Sequence, residues 1–415
     1  MTEPQAALER VVREEWGHLV SLLVGRFGRL DLVEDAVADA VEAAARRWPT
    51  DGVPDNPPAW LHATARRRIL DRLRAEAMAR RKQPLLVTEA DRATTSAMAD
   101  PGDLVEDDLL RLVLMCTHPA LAPEAASALA LRLVLGVSTH DIARLFLVPE
   151  PTMAARLTRA KKKIVTAGIP FAVPGERHLP ERVATAAQTA YLSFTAGYAP
   201  GSGPDPVRVE LAGEGVRLVR VVRDLQPQHP VPTALLALVL LQHSRRDART
   251  DASGRIVLLA DQDRARWHHD EIAEALELLA APGLTGPLPV QAASYLLQAR
   301  IAAEHATAAT AGETRWDRVV AHYDLLLQVE PSPGAQLARV VAVAEARGPR
   351  AGLDALGAVR MPGSHRPASV RAELLVRSGD LPAARDAYRE ALALCRNAAE
   401  TAHLQERLDF LGSSP

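Results

Sequence analysis

Two clusters of basic side chains carry spacing on which a chemistry can be built. After Pro149, Thr152, Arg156, Arg159 and Lys163 recur at steps of four, three and four residues, and Lys161 and Lys162 add charge with no acid in the cluster. Met153, Leu157, Ala160 and Ile164 recur at the same steps on another helical face, so one face can pack while the other meets a groove. Guanidinium groups pair with guanine edges or phosphates and ammonium groups with phosphates, so the chemistry is recognition of nucleic acid. The second cluster is Arg66, Arg67, Arg68, Arg72, Arg74, Arg80, Arg81 and Lys82, faced within its stretch only by Asp71 and Glu76. It follows a proline-rich loop flanked by Trp48 and Trp60. A cationic track beside aromatic rings suits unpaired bases, although Trp60 is read as a core anchor.

Bond-making chemistry has little to stand on. Gly197 to Gly203 lacks the lysine and hydroxyl residue of a phosphate loop and reads as a connection. His268-His269-Asp270-Glu271 reads as a polar helix start, and Asp261 and Asp263 as capping or ion-pairing groups beside Arg264 and Arg266. The two cysteines, Cys116 and Cys395, exclude a disulfide framework or a four-thiolate zinc site. No catalytic residue, metal-ligand set or cofactor is expected.

The basic clusters need elements to hold them. Val33, Ala36, Val37, Ala40, Val41 and Ala44 form one apolar face of a helix that ends at Trp48-Pro49, while Glu34, Asp35, Asp39 and Glu42 occupy the other faces. A loop bearing Pro54, Pro57 and Pro58 leads to a helix with Trp60, Leu61, Ala65, Ile69 and Leu73 inward and the first arginine cluster outward. A short helix over Thr139 to Phe146, a turn at Leu147-Val148-Pro149 and a helix opening at Glu150-Pro151 form a helix-turn-helix.

Beyond Pro170 helical stretches run to the end of the chain. Leu375, Gly379-Asp380, Ala384, Tyr388 and Ala391-Leu392 match much of the tetratricopeptide signature, and Tyr323 stands about two repeat lengths upstream. With 415 residues, 48% of them hydrophobic and only 4% aromatic, the chain reads as all-α: two small helical domains followed by a helical-repeat domain. The expected division is 1–82, a linker over 83–102, 103–168 with the helix-turn-helix, and 169–415. The net charge of −2 hides basic clusters separated by an acidic patch of Asp100, Asp103, Glu106, Asp107 and Asp108. No basic-then-apolar leader and no apolar run of membrane-spanning length occurs, so a cytoplasmic protein with no membrane partner is expected.

Several segments resemble a known family. Glu34-Asp35-Ala36-Val37, Pro58-Ala59-Trp60-Leu61, Ala65-Arg66-Arg67-Arg68 and Asp71-Arg72-Leu73-Arg74 are similar to region 2 of bacterial extracytoplasmic-function sigma factors. Asp141-Ile142-Ala143 and Thr152-Met153-Ala154-Ala155-Arg156-Leu157 are similar to region 4. Phe146-Leu147-Val148-Pro149-Glu150, Arg159-Ala160-Lys161-Lys162-Lys163-Ile164, Asp261-Gln262-Asp263-Arg264 and Arg371-Ala372-Glu373-Leu374-Leu375 resemble the subgroup with a large helical C-terminal extension.

The resemblance implies a dissociable subunit of core RNA polymerase that directs promoter recognition and transcription initiation. Asp35 and Asp39 would contact polymerase. The loop from Pro49 to Pro57 and Arg66, Arg67 and Arg68 would approach the melted minus-ten strand. Thr152, Arg156 and Arg159 would meet the minus-thirty-five duplex, with Lys161, Lys162 and Lys163 on phosphates. Stacked helix pairs expose a concave surface, so the extension is expected to offer a site for a protein, a peptide or the chain's own DNA-binding half. A stand-alone helix-turn-helix regulator and a tetratricopeptide-like scaffold remain the alternatives.

Overall fold

The computed structural model describes residues 3–81, 101–146, 148–198, 209–251, 255, 257–395 and 398–413. Among them the helical elements are α-helices and short 3-10 turns, with no strand, as the all-α reading requires. The chain forms two units, Met1–Thr189 and Ala190–Pro415.

The first unit contains α1 (Glu3–Phe27), α2 (Leu30–Asp51), α3 (Pro57–Arg81), α4 (Pro101–Cys116), α5 (Pro123–Leu133), α6 (Thr139–Leu145), α7 (Glu150–Thr166) and the start of α8 (Leu179–Tyr198). α1 packs on α2, α3 and α4, while α5 packs on α7 and α6 on α7. The apolar stripe of α2 is buried as its period dictates, with Val33, Ala36, Val37, Ala40 and Ala44 closed off from water.

Three expectations for this stretch are corrected. α2 does not stop at Trp48-Pro49 but runs over Pro49 to Asp51. Proline removes one helical hydrogen bond, yet buried Trp48 anchors the last turn and the Gly52 N–H closes it on the Trp48 carbonyl at 3.1 Å. Trp48, not Trp60, is the core anchor: Trp60 is half-buried and meets Trp48 edge-on, with ring centroids 5.8 Å apart. Glu34, assigned to a polar face of α2, is buried. The linker expected over 83–102 lies, apart from its last two residues, outside the described residues, as does the side chain of Lys82.

Two glycines set the distance between the first three helices and the helix-turn-helix half. A Cβ on Gly17 of α1 would lie 2.5 Å from the Val134 carbonyl oxygen. Gly136 holds φ at +74°, and a Cβ there would strike the Trp16 ring at 2.7 Å. The two halves therefore meet along a seam too close for side chains at these points.

The second unit holds the rest of α8, then α9 (Val209–Leu225), α10 (Pro230–His243), α11 (His269–Leu279), α12 (Val290–Ala306), α13 (Trp316–Val329), α14 (Pro333–Arg347), α15 (Pro349–Leu356), α16 (Arg366–Ser378), α17 (Leu381–Leu394) and α18 (Ala398–Ser413). α10 is apolar all round and correspondingly buried. From α12 onward each helix packs on the next, the neighbour-to-neighbour arrangement of a repeat array. Its interior is a series of small cores, one around Val319, Val320 and Leu326, one around Val340, Ala344 and Leu374, and one around Ala384, Tyr388 and Ala391. The tetratricopeptide-like punctuation falls between α16 and α17, where Gly379 takes the left-handed conformation that ends one helix and the Asp380 side chain accepts from the Ala383 N–H to start the next.

Candidate nucleic-acid interface

The α6–α7 pair is built from local signals. Ser138 caps α6, its Oγ accepting the Asp141 N–H at 3.0 Å and donating to the Asp141 carboxylate at 2.6 Å. The chain leaves α6 through the Phe146 N–H, which returns to the Ile142 carbonyl, and Pro151 lies in the first turn of α7. Ile142, Ala143 and Leu145 on α6 and Met153, Leu157, Ala160 and Ile164 on α7 are buried together, which fixes the roll of α7.

That roll places Thr152, Arg159, Lys162 and Lys163 on the exposed side, with Arg156 half-buried beside them. Among the described residues none of these four cations pairs with a carboxylate. Lys161 differs. Its Nζ lies 2.7 Å from Glu34 Oε2, and the other carboxylate oxygen of Glu34 accepts from Arg132 Nε at 2.7 Å. The Glu34 side chain is only 7% exposed, against 28% for Lys161 and 17% for Arg132. Burial pushes the Glu34 carboxyl up, but the hydrogen bonds and charges of Lys161 and Arg132 outweigh it and hold the group below the usual carboxylate range. Arg132 also donates to the Val137 carbonyl at 3.2 Å and lies 5.6 Å from the Trp16 ring centroid, so one guanidinium serves both the triad and the seam.

On α3, Leu61, Ala65 and Ile69 face the core while Arg66, Arg67 and Arg68 are exposed, without a carboxylate partner among the described residues. His62, one turn before Arg66, is held below its ordinary pKa by burial and then by Arg66 and Arg26, a sign of unneutralised positive charge. Arg72 instead bridges to Asp35 at 3.2 Å and to Asp39 at 2.9 Å. The two aspartates expected to contact polymerase thus lie side by side on α2 and share one guanidinium in a water-exposed pair, an interaction that another partner can replace at little cost. Between α2 and α3 the connection is short, and Asn56 starts α3 by accepting the Ala59 N–H at 3.0 Å. The side chains of Arg80 and Arg81 lie outside the described residues.

Cys116 is fully buried, and burial, followed by the Glu34 charge, pushes its thiol up and keeps it protonated. His118 accepts the Ala120 N–H through Nδ1 at 3.1 Å, a turn contact.

Sequence reasoning missed Glu34 and Arg132 as a pair. Glu34 borders the apolar stripe of α2, where periodicity does not separate a rim position from a core one. Arg132 did carry a signal, since it is the one charge among the apolar residues from Ala125 to Leu135, and such a charge needs a partner.

Two family models agree with this geometry. Residues 11–79 match sigma-70 region 2 and residues 111–164 match sigma-70 region 4. Residues 182–282 match a family of unknown function, DUF6596. An uncharacterized protein of Rhizobium meliloti (strain 1021), R00370, is 40% identical over 399 residues, 95% of this chain and 93% of its own. Among solved structures the yeast Tom70 crystal structure aligns over 98% of this chain and 86% of its own, with a TM-score of 0.32 and 11% identity. With both sigma regions in order, their basic helices outward and a further helical domain following them in sequence, the chain belongs to the sigma-70 family as an extracytoplasmic-function-like sigma factor with a C-terminal extension.

Proposed function

We propose that the protein joins core RNA polymerase and directs it to promoters from two surfaces of its first unit. The outward row of α7, exposed apart from half-buried Arg156, carries this reading: Thr152, Arg156 and Arg159 enter the major groove of the minus-thirty-five duplex, and Lys162 and Lys163 reach phosphates. Arg66, Arg67 and Arg68, with the short connection before α3, hold the melted minus-ten strand. Asp35 and Asp39 exchange Arg72 for a cation of polymerase. Lys161 is the sixth member of the α7 set, and it reaches DNA only when Glu34 lets go. On this reading the folded unit withholds Lys161 alone, and polymerase binding would part its two halves to release it.

The reading places the protein in the cytoplasm, consistent with there being no described helix long and apolar enough to cross a membrane. The second unit supplies a surface for a protein or peptide that sets activity; removing the residues after Thr189 would then change how transcription responds to conditions. The decisive test mixes the purified chain with bacterial core polymerase, follows complex formation by gel filtration, and then runs transcription from the promoters it selects. Stable association with promoter-dependent transcripts is the expected result. No association, alongside salt-sensitive binding to duplex DNA, would make the chain a stand-alone helix-turn-helix regulator.

A further inference from the structure

Three helix ends in the second unit converge on a set of side chains that the sigma reading does not use. His365 stands at the start of α16, Cys395 at the end of α17 and Glu400 in the first turn of α18. One ligand atom from each, an imidazole nitrogen, the thiol sulfur and a carboxylate oxygen, falls within 4.8 Å of the other two. It is the only such group of His, Cys, Asp and Glu among the described residues. His365 Nε2 and Glu400 Oε2 already lie 3.1 Å apart. Ligand atoms around a tetrahedral zinc ion sit about 3.5 Å from one another, so closing the set asks the thiol to move by on the order of 1 Å.

We propose that His365, Cys395 and Glu400 form a binding site for a divalent transition-metal ion of the zinc class. The donor set decides the class: a thiolate and an imidazole select borderline-soft ions such as Zn²⁺ and disfavour Ca²⁺ or Mg²⁺, which want oxygen. Three protein ligands leave one tetrahedral position for water or a fourth side chain. His403, one turn beyond Glu400, lines with His365 and Glu400 a cavity of about 640 Å³. Its other walls include Leu337, Val341 and Leu374, so a ligand filling the open position would find an apolar surface beside the metal. Binding displaces the Cys395 proton to solvent and fastens the start of α18 to the α16–α17 pair, where Leu404 and Leu411 already seat the rest of α18 in a shared core.

This proposal stands apart from the promoter reading, and its test reads neither polymerase nor DNA. The untagged full-length chain is stripped with a chelator and titrated with Co²⁺, which reports thiolate ligation by a charge-transfer absorption. The expected result is one equivalent bound with that band, displaced by Zn²⁺. Cys395→Ser should remove the band, and Glu400→Gln and His365→Gln should each weaken binding by more than about tenfold. Cys116→Ser should leave the band unchanged because Cys116 is buried in the first unit. Circular dichroism on each variant separates lost ligation from lost folding, and the glutamine variants carry the test if the serine variant unfolds. Absence of stoichiometric binding to the folded wild-type chain, or a thiolate band that survives Cys395→Ser, would overturn the site.

Discussion

α3 and α7 both carry rows of cations, and they hold them differently. Arg66, Arg67 and Arg68 on α3 stand in solvent with no carboxylate among the described residues, whereas on α7 Lys161 is drawn back into a buried triad with Glu34 and Arg132. Charge on α3 is fully presented, and charge on α7 is presented in part. The amount of basic charge on a helix therefore says less about its readiness to bind than the partners that the rest of the fold supplies.

The contrast can be broken first on α3. Reversing Arg66→Glu together with Arg67→Glu is expected to cut promoter-dependent run-off transcription by on the order of a hundredfold, while the thermal midpoint stays at the wild-type value because neither side chain has a carboxylate partner to lose among the described residues. Retained transcription would move the single-strand contact off this helix.

The next largest effect belongs to Glu34→Gln, which keeps the volume and removes the charge. Breaking a buried pair is costly, but Lys161 and Arg132 keep some access to water, so a loss of about 2 kcal/mol is expected in chemical denaturation. The sign of the pH dependence follows from the lowered carboxyl pKa. The contribution of Glu34 is present at neutral pH and is lost as pH falls through its folded value, below the ordinary carboxylate range. The Gln variant should lack that acid limb, and an unchanged acid profile would remove Glu34 from the account.

On α7, Arg156→Ala with Arg159→Ala is expected to weaken binding to minus-thirty-five duplex by at least about tenfold and to relax its sequence preference. The smallest effect is the sharpest. Lys162→Ala should lower the salt slope by about 0.9, Lys161→Ala should leave it unchanged in the wild-type background, and Lys161→Ala should lower it once Glu34→Gln is present. Equal slopes for the two lysine variants in the wild-type background would show that the triad does not withhold Lys161.

Much of this was legible in sequence because the signals were local. The step pattern of Met153, Leu157, Ala160 and Ile164 gave the buried face of α7 and so its exposed one, and Gly379-Asp380 marked the turn between α16 and α17. What was not legible depends on partners distant along the chain. Glu34 meets residues 98 and 127 positions away, and nothing near it in sequence distinguishes it from Asp35. Trp60 reads from sequence as the core anchor where Trp48 is one for the same reason, since both sit at helix ends where the burial of a ring is decided by the neighbouring helix. His365, Cys395 and Glu400 form no short motif, and only the stacking of three helices brings them together.

The seam at Gly136 gives the molecule an optical consequence. Trp16 is 4% exposed beneath that glycine, and its indole Nε1 has no hydrogen-bond partner among the described residues. Parting the halves would move the ring into water and shift its emission to longer wavelength. In a chain whose other four tryptophans are replaced by phenylalanine, the colour of Trp16 would report any parting of the two halves without an attached dye.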